Sequence, residues 1–311
     1  MDQTQYLDIN KLSVNPDYDF IHSMNISDDE NYMQDNGSPY DGVNFDCKFA
    51  SVIDCQEINN NGLMILSLNI QSLPAKFLDF KEFLGTLSSK NIFPDILCLQ
   101  ELWQFPSCAN FSINGYHPLV YKLRGDNVQG GGVGLYIKDT LEFNIKTNIS
   151  TFYDRIYESL VVEITAKNKC KFNVGTIYRP GASPSLTHSE QSEQFLEILS
   201  NVLEQLSASK VPTYLLGDIN IDVLTCNNNS TSNDYLNLLF SHGFLQVITK
   251  PTRCTSTSAK LIDHCITNVN NTCHFSRIFT NKISDHFPIL YKIGNSESRR
   301  DPKNIFLPGL F

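Results

Sequence analysis

The chain has no apolar run of about 18 residues, the least a spanning helix needs, and no basic segment leading into an apolar one at its N-terminus. Both absences predict a protein that neither crosses a membrane nor is secreted, and therefore an intracellular one. It also lacks any C-x-x-C pair and any internal repeat. Its nine cysteines, an odd number, then read as thiols in a reducing compartment rather than as a disulfide framework. Matches to N-x-S/T such as Asn148-Ile-Ser150 are fortuitous in that setting. One arrangement resembles a zinc site, His264-Cys265 with Cys273-His274. Adjacent residues on a strand face opposite sides, so each pair offers one ligand easily and two only with distortion; core positions are the default reading.

Positive charge is scarce in one region only. The net charge of -9 would argue against a nucleic-acid partner if it were spread evenly, but residues 1 to 61 hold 12 Asp and Glu against Lys11 and Lys48, a net of -10. The other 250 residues carry 21 acids and 22 bases, a net of +1. Residues 1–61, rich in Asp, Asn and Ser without a sustained period, read as an acidic, disordered or loosely attached segment. The 311 residues suit one large catalytic domain, 62–293, with a C-terminal tail at 294–311.

Order is expected to start at Leu63–Leu68, a continuous apolar run typical of a strand covered on both faces. Pro74 opens a helical stripe of Phe77, Phe80, Phe83, Leu84 and Leu87, and Asp95–Leu99 forms the next buried strand. Strands follow at Tyr116–Lys122, Gly132–Ile137, Ser159–Ile164 and Lys171–Tyr178, then a helix carrying Phe195, Leu199, Val202 and Leu206. Val211–Leu216, a short helix around Tyr235–Phe240, and strands at Leu261–Thr267 and Phe287–Ile293 complete the domain. Strands alternating with helices, many of them hairpin neighbours, predict a mixed sheet system with helices outside two packed sheets. The glycine run Gly130-Gly-Gly132-Val-Gly134 lacks the G-K-[ST] ending of a phosphate-binding loop and opens no helix, so it reads as a bulge or tight hairpin.

Polar fragments punctuate these elements: Ser67-Leu68-Asn69, Gln100-Glu101, Tyr178-Arg179-Pro180, Gly217-Asp218-Ile219-Asn220, Asp263 and Ser284-Asp285-His286. Each alone is an ordinary strand exit or turn. Asn69, Glu101, Asp218 and Asn220 follow strand ends, and His286 precedes a strand, so all can gather at one rim. Converging carboxylates raise one another's pKa unless a cation sits among them, and no lysine lies within these fragments. Oxygen donors of this kind suit a hard divalent ion such as magnesium, which stabilises charge on phosphoryl oxygens while a base activates water. His286 is a candidate base, with Asp263 holding its tautomer.

These fragments in this order resemble the endonuclease/exonuclease/phosphatase superfamily, and especially the apurinic-type endonuclease domain of non-LTR retrotransposons. The resemblance is carried by residues 67–73, Arg124 with the Gly130–Tyr136 run, Tyr178-Arg-Pro180, Gly217–Asp222, Pro251-Thr-Arg253, Leu261–His264 and Ser284–Pro288. It implies a four-layer α/β sandwich, two mixed β-sheets flanked by helices, and a metal-dependent phosphodiesterase that nicks DNA. By that resemblance Glu101, with Asn69 and Asp285, holds Mg2+, for which Mn2+ can substitute. Asp218 and Asn220 orient or deprotonate the attacking water and contact the phosphate. Tyr178 binds the scissile phosphate or steadies the leaving oxygen, and Arg179 and Ser284 contact substrate. His286, paired with Asp263, stabilises the transition state or acts as the base, so the choice of base between Asp218 and His286 stays open. Arg124, Arg179, Arg253 and Lys260 either contact phosphates or are solvated surface charge. DNA is the implied partner and the nucleus the implied location, with no obligate protein partner and no membrane; a reverse transcriptase domain, usual in such elements, is missing from residues 294–311. The alternatives are a phosphatase or lipid phosphodiesterase on the same fold, and a non-catalytic element remnant. The acidic N-terminal segment could compete with phosphate for a basic groove.

Overall fold

A computed structural model of the chain describes residues 43–53, 58, 62–125, 130–166, 169–181, 185–269 and 273–293. Two mixed sheets carry the fold. The first runs in the order β1 (Asn44–Ala50), β15 (Cys273–Phe279), β16 (Ile289–Ile293), β2 (Leu63–Asn69), β3 (Ile96–Gln100), β5 (Val133–Ile137), β4 (Val120–Lys122). The second runs β11 (Leu245–Gln246), β14 (Asp263–Thr267), β10 (Thr213–Asp218), β9 (Lys171–Tyr178), β8 (Tyr157–Thr165), β6 (Glu142–Ile145), with β7 (Phe152–Tyr153) also on β8. A small hairpin, β12 (Arg253–Cys254) with β13 (Ala259–Lys260), stands apart.

Alternation along the strands stacks the layers. On β2, Ile65 joins the core shared by both sheets, while Met64, Leu66 and Leu68 turn outward to Phe80, Phe83 and Leu87 of helix α1 (Leu73–Ser89). Ser72 caps α1 by accepting the Ala75 N–H, and Pro74 fits its first turn, where no intrahelical donor is lost. The Gln100 amide on β3 donates across to Thr176 Oγ1 on β9 of the second sheet at 2.8 Å and, within its own sheet, to Ser67 Oγ at 3.2 Å. Helix α2 (His188–Ser209), opened by a Thr187/Glu190 capping box, buries Phe195, Leu199, Val202 and Leu206. Helix α3 (Ser230–Ser241) buries Tyr235, Leu236 and Leu239. Helix, sheet, sheet, helix is the four-layer sandwich the resemblance implies.

The sheet registers explain why one rim collects the polar fragments. β2 and β3 are parallel and end together, with Asn69 opposite Gln100. β9 and β10 are also parallel, ending at Tyr178 and Asp218. β14 is antiparallel to β10 and places Asp263 directly opposite Asp218. β16 is antiparallel to β2, so the segment before it, with Ser284 and His286, returns to the same rim.

Several elements differ from the sequence reading. The first sheet starts at Asn44, inside the stretch read as loosely attached: Phe45 and Cys47 alternate with Asp46 and Lys48, and β1 pairs in parallel with β15. Residues 1–42 and 294–311 lie outside the described residues. The strand expected at Tyr116–Lys122 is paired only over Val120–Lys122, with Tyr116 bridging Lys138 alone, because Pro118 has no N–H to give a ladder. Pro212 likewise delays β10 to Thr213. Helix α3 begins five residues before Tyr235 because Asn229 accepts the Ser232 N–H as its cap. The zinc arrangement does not form: His264 on β14 meets the Tyr235 hydroxyl at 2.9 Å, and His274, on the other sheet, meets the Tyr291 hydroxyl at 2.8 Å. Among the described residues, no helix is long and apolar enough to cross a membrane.

Candidate active site

Asn69, at the end of β2 and fully buried, sits at the centre of the rim. Its amide nitrogen donates at 2.9 Å both to Glu101 Oε1 and to Asp218 Oδ2, so one side chain from the first sheet ties together carboxylates 117 sequence positions apart on different sheets. Tyr178 donates its hydroxyl to the same Glu101 oxygen at 3.0 Å, and the Trp103 indole N–H donates to the other at 3.1 Å. Burial, then the charges of Glu101 and Asp218, push the Tyr178 phenol far above its ordinary range, so it stays a donor.

Asp218 is set by its backbone. Gly217 lies so close to β9 that a Cβ there would collide with the Ile177 carbonyl oxygen, and only glycine lets β10 carry the next residue to the rim. Asn220, with φ at 51°, folds back so that its backbone N–H reaches Asp218 Oδ1 at 3.0 Å and its amide reaches Oδ2 at 3.0 Å. Burial raises Asp218 to about 7; His286 opposes that rise and Asp263 adds to it.

Two carboxylates directly opposite on neighbouring strands repel, and here an imidazole lies between them. His286 Nδ1 lies 2.8 and 3.0 Å from the Asp263 oxygens, while Nε2 stands 3.9 Å from Asp218 Oδ2 and 3.7 Å from Asp285 Oδ1, beyond direct hydrogen-bond length. Burial disfavours the imidazolium, but Asp263 and then Asp218 outweigh it and lift His286 to about 9. Asp263 is itself held by the Thr252 hydroxyl at 2.6 Å.

The donor set fits a hard divalent ion. Asp218, Asp263 and His286 offer ligand atoms within 4.8 Å of one another, yet both Asp263 oxygens already serve His286, and Thr252 claims one of them. That trio is therefore a hydrogen-bonded Asp263–His286 pair standing beside Asp218 rather than a cage. Oxygens less committed to protein partners are the second Glu101 oxygen, which takes only the N–H of the exposed Trp103, the Asn69 amide oxygen, which takes the Gln71 N–H, and Asp285 Oδ1, which is buried without a hydrogen-bond partner.

Three residues expected to touch substrate or metal are also bound by protein groups. The Arg179 guanidinium, 1% exposed, turns inward, donating to the Asn220 carbonyl and Ser192 Oγ and lying 5.3 Å from the Phe195 ring centroid, so it positions the Asp218–Asn220 turn. Ser284 donates to the Asn69 carbonyl at 2.6 Å and accepts the His286 N–H at 3.2 Å, pinning the loop to β2. Asp285 accepts through its other oxygen, Oδ2, from Arg253 Nε at 2.8 Å and also pairs with Nη2. Arg124 is no surface charge: it is buried against Glu158. Sequence reasoning missed Thr252 and Trp103. The Pro251-Thr-Arg253 fragment was the available signal, since its threonine clamps Asp263 and its arginine clamps Asp285.

The profile of the Endonuclease/Exonuclease/phosphatase family matches residues 66–286, which contain every one of these side chains. The chain belongs to the endonuclease/exonuclease/phosphatase family. Members of this family hydrolyse phosphodiester bonds and typically depend on divalent metals. Among solved structures, the endonuclease domain of TRAS1, a telomere-specific non-LTR retrotransposon, superposes with a TM-score of 0.53 at 12% identity, covering 76% of this chain and 100% of its own. The 3'-5' exonuclease NExo from Neisseria meningitidis gives 0.54 at 18% identity, with 75% and 100% covered. D. rerio TDP2, complexed with a single-strand DNA product, gives 0.52 at 15% identity, with 75% and 98% covered. At these identities the likeness establishes the shared fold. No curated protein matches the chain in sequence.

Proposed function

We propose that this family member is a Mg2+-dependent DNA endonuclease that nicks one strand, as in non-LTR retrotransposition, and that it works in the nucleus. The observation that carries this reading is the continuous chain of contacts from Asp263 through His286 towards Asp218, and from Asp218 through Asn69 to Glu101 and Tyr178. The likeness to the TRAS1 endonuclease domain supports it, as do the Tyr178-Arg-Pro180 and Pro251-Thr-Arg253 fragments.

Each side chain has a task that follows from its proton. Asp218, raised to about 7 by burial, takes a proton from water near neutral pH, with Asn220 fixing both its oxygens. His286, near 9, keeps its second proton at neutral pH, and its Nε2–H can be given to a non-bridging phosphate oxygen as charge builds there. Asp263 fixes the ring through Nδ1. Tyr178, held as a phenol, donates to a phosphate or leaving oxygen. A divalent ion held by Glu101, with Asn69 and Asp285, would neutralise the phosphoryl oxygens and lower the charge cost of the attack. Asp218 is thus the base and His286 the cation.

Product analysis tests the reading. Incubated with Mg2+ and supercoiled plasmid, the protein should yield open circles, with no release of nucleotides from labelled 3' ends and no inorganic phosphate from 3'-phosphorylated oligonucleotides. End-nucleotide release from linear DNA with the plasmid left closed would replace the reading with an exonuclease, and phosphate release alone with a phosphatase.

A further inference from the structure

A charged pair lies buried immediately behind Glu101, and the chemistry above makes no use of it. Arg124 is 7% exposed and Glu158 fully buried, and Arg124 Nε stands 2.6 Å from Glu158 Oε1. Replacing such a pair with apolar side chains is often neutral or stabilising, so stability alone is a weak reason for its presence. Its contacts give a stronger one. Glu158 Oε2 takes the Gly132 N–H at 2.6 Å. Gly132 and Gly131 in turn offer their carbonyls to the N–H groups of Leu102 and Trp103 at 3.1 and 2.8 Å. A Cβ on Gly131 would collide with the Arg124 side chain, and Gly131 and Gly132 have φ of 67° and 88°, so the triple glycine lets the chain run against the ion pair. The loop so held is strained: Glu101 and Trp103 have φ of 53° and 58°. On the other side, Glu158 faces Tyr178 across the β8–β9 ladder, and the Arg124 guanidinium lies 5.9 Å from the Tyr178 ring centroid.

We propose that the Arg124–Glu158 ion pair is a positioning device that fixes the Glu101 carboxylate from two sides, through the glycine-held backbone of residues 101–103 and through Tyr178. It does not touch substrate. The proposal rests on Glu101 being the ion-holding carboxylate.

Trp103 is the only tryptophan in the chain and its indole touches Glu101, so its emission reads this loop directly. In the full chain, Glu158→Gln should stay folded by far-ultraviolet circular dichroism while Trp103 emission shifts to the red. The Mn2+ concentration that half-quenches that emission should rise about 10-fold or more, the usual effect of a lost partner behind a metal ligand. If nicking is present, kcat should fall by a similar factor with KM for DNA unchanged. Arg124→Lys, which keeps the charge but loses the fork, should do the same to a smaller degree and serves if Glu158→Gln does not fold. Unchanged Trp103 emission and Mn2+ response in a folded variant, with only the melting temperature moved, would reduce the pair to a structural contact. A wild-type Trp103 blind to Mn2+ would remove the ion-holding role of Glu101 and this proposal with it. Wild type that leaves DNA intact but shows the Mn2+ effects would keep the positioning role and overturn the endonuclease reading.

Discussion

His286 stands among Asp263, Asp218 and Asp285 with almost no solvent, and that placement ties folding to pH. Its folded pKa, about 9, lies above the ordinary 6.5. A raised folded pKa means stability fully present below 6.5 and lost as pH climbs through 9. Asp218 acts in the same direction lower down, its contribution lost between 3.8 and about 7. Without divalent ions, the protein should therefore lose roughly 2–3 kcal/mol of unfolding free energy between pH 6.5 and 9 on account of His286. Urea unfolding at several pH values in chelator measures this, and Asp263→Asn should flatten the slope; a slope that rises over that window would contradict the ion-paired imidazolium. The meeting of Glu101, Asp218 and His286 at one rim was legible in the sequence because acid and amide follow strand ends and the imidazole precedes a strand. The inward turn of Arg179 and Ser284 was not, because sequence gives a side chain's chemistry but not its direction. Both spend their polarity on a neighbouring carbonyl or hydroxyl.

At the level of elements, the site depends on how closely β9 and β10 approach. Gly217→Ala would drive a methyl group into the Ile177 carbonyl at the point where β10 delivers Asp218. The expected cost is roughly 1–3 kcal/mol of stability, as for other overpacked sites, and a larger loss of activity, because Asp218 and its Asn220 clamp must move. Thermal melting and nicking rate together check this; a variant with both unchanged would show that the strand approach is not what places Asp218. The central strands could be read from their continuous apolar runs, since both faces are covered. β1 could not. Its alternation of Phe45 and Cys47 with Asp46 and Lys48 lies within a strongly acidic stretch, and what makes it a strand is pairing with β15, more than 200 residues away. The start of α3 was hidden for a related reason: its first turn is made of Ser, Thr and Asn, poor helix formers held by a capping Asn229.

For the whole molecule, the position of β1 divides the acidic N-terminal region into a paired strand and the residues before it. Residues 1–42 carry nine acids and one lysine. A variant beginning at Val43 keeps β1 and should melt with the full chain, yet bind DNA more tightly at low salt, where repulsion between that charge and phosphate is least screened. A variant beginning at Gly62 loses the buried Phe45 and Cys47 and should melt lower by a few kcal/mol of stability. Equal DNA affinity for the full chain and the Val43 variant would remove the competition with phosphate. The family and the sandwich were recoverable from the order of the fragments, because strand ends of two stacked sheets must share a rim; the arrangement of supports beneath them was not. The most direct test is the single-turnover nicking rate of supercoiled plasmid in Mg2+ for wild type, Asp218→Ala and His286→Ala. Wild type should open the plasmid, and each variant should be slower by about 100-fold to 10,000-fold, the range lost with a general base or a transition-state donor. Equal rates in all three, or a plasmid left closed by all three, would contradict a phosphodiester site built on Asp218 and His286.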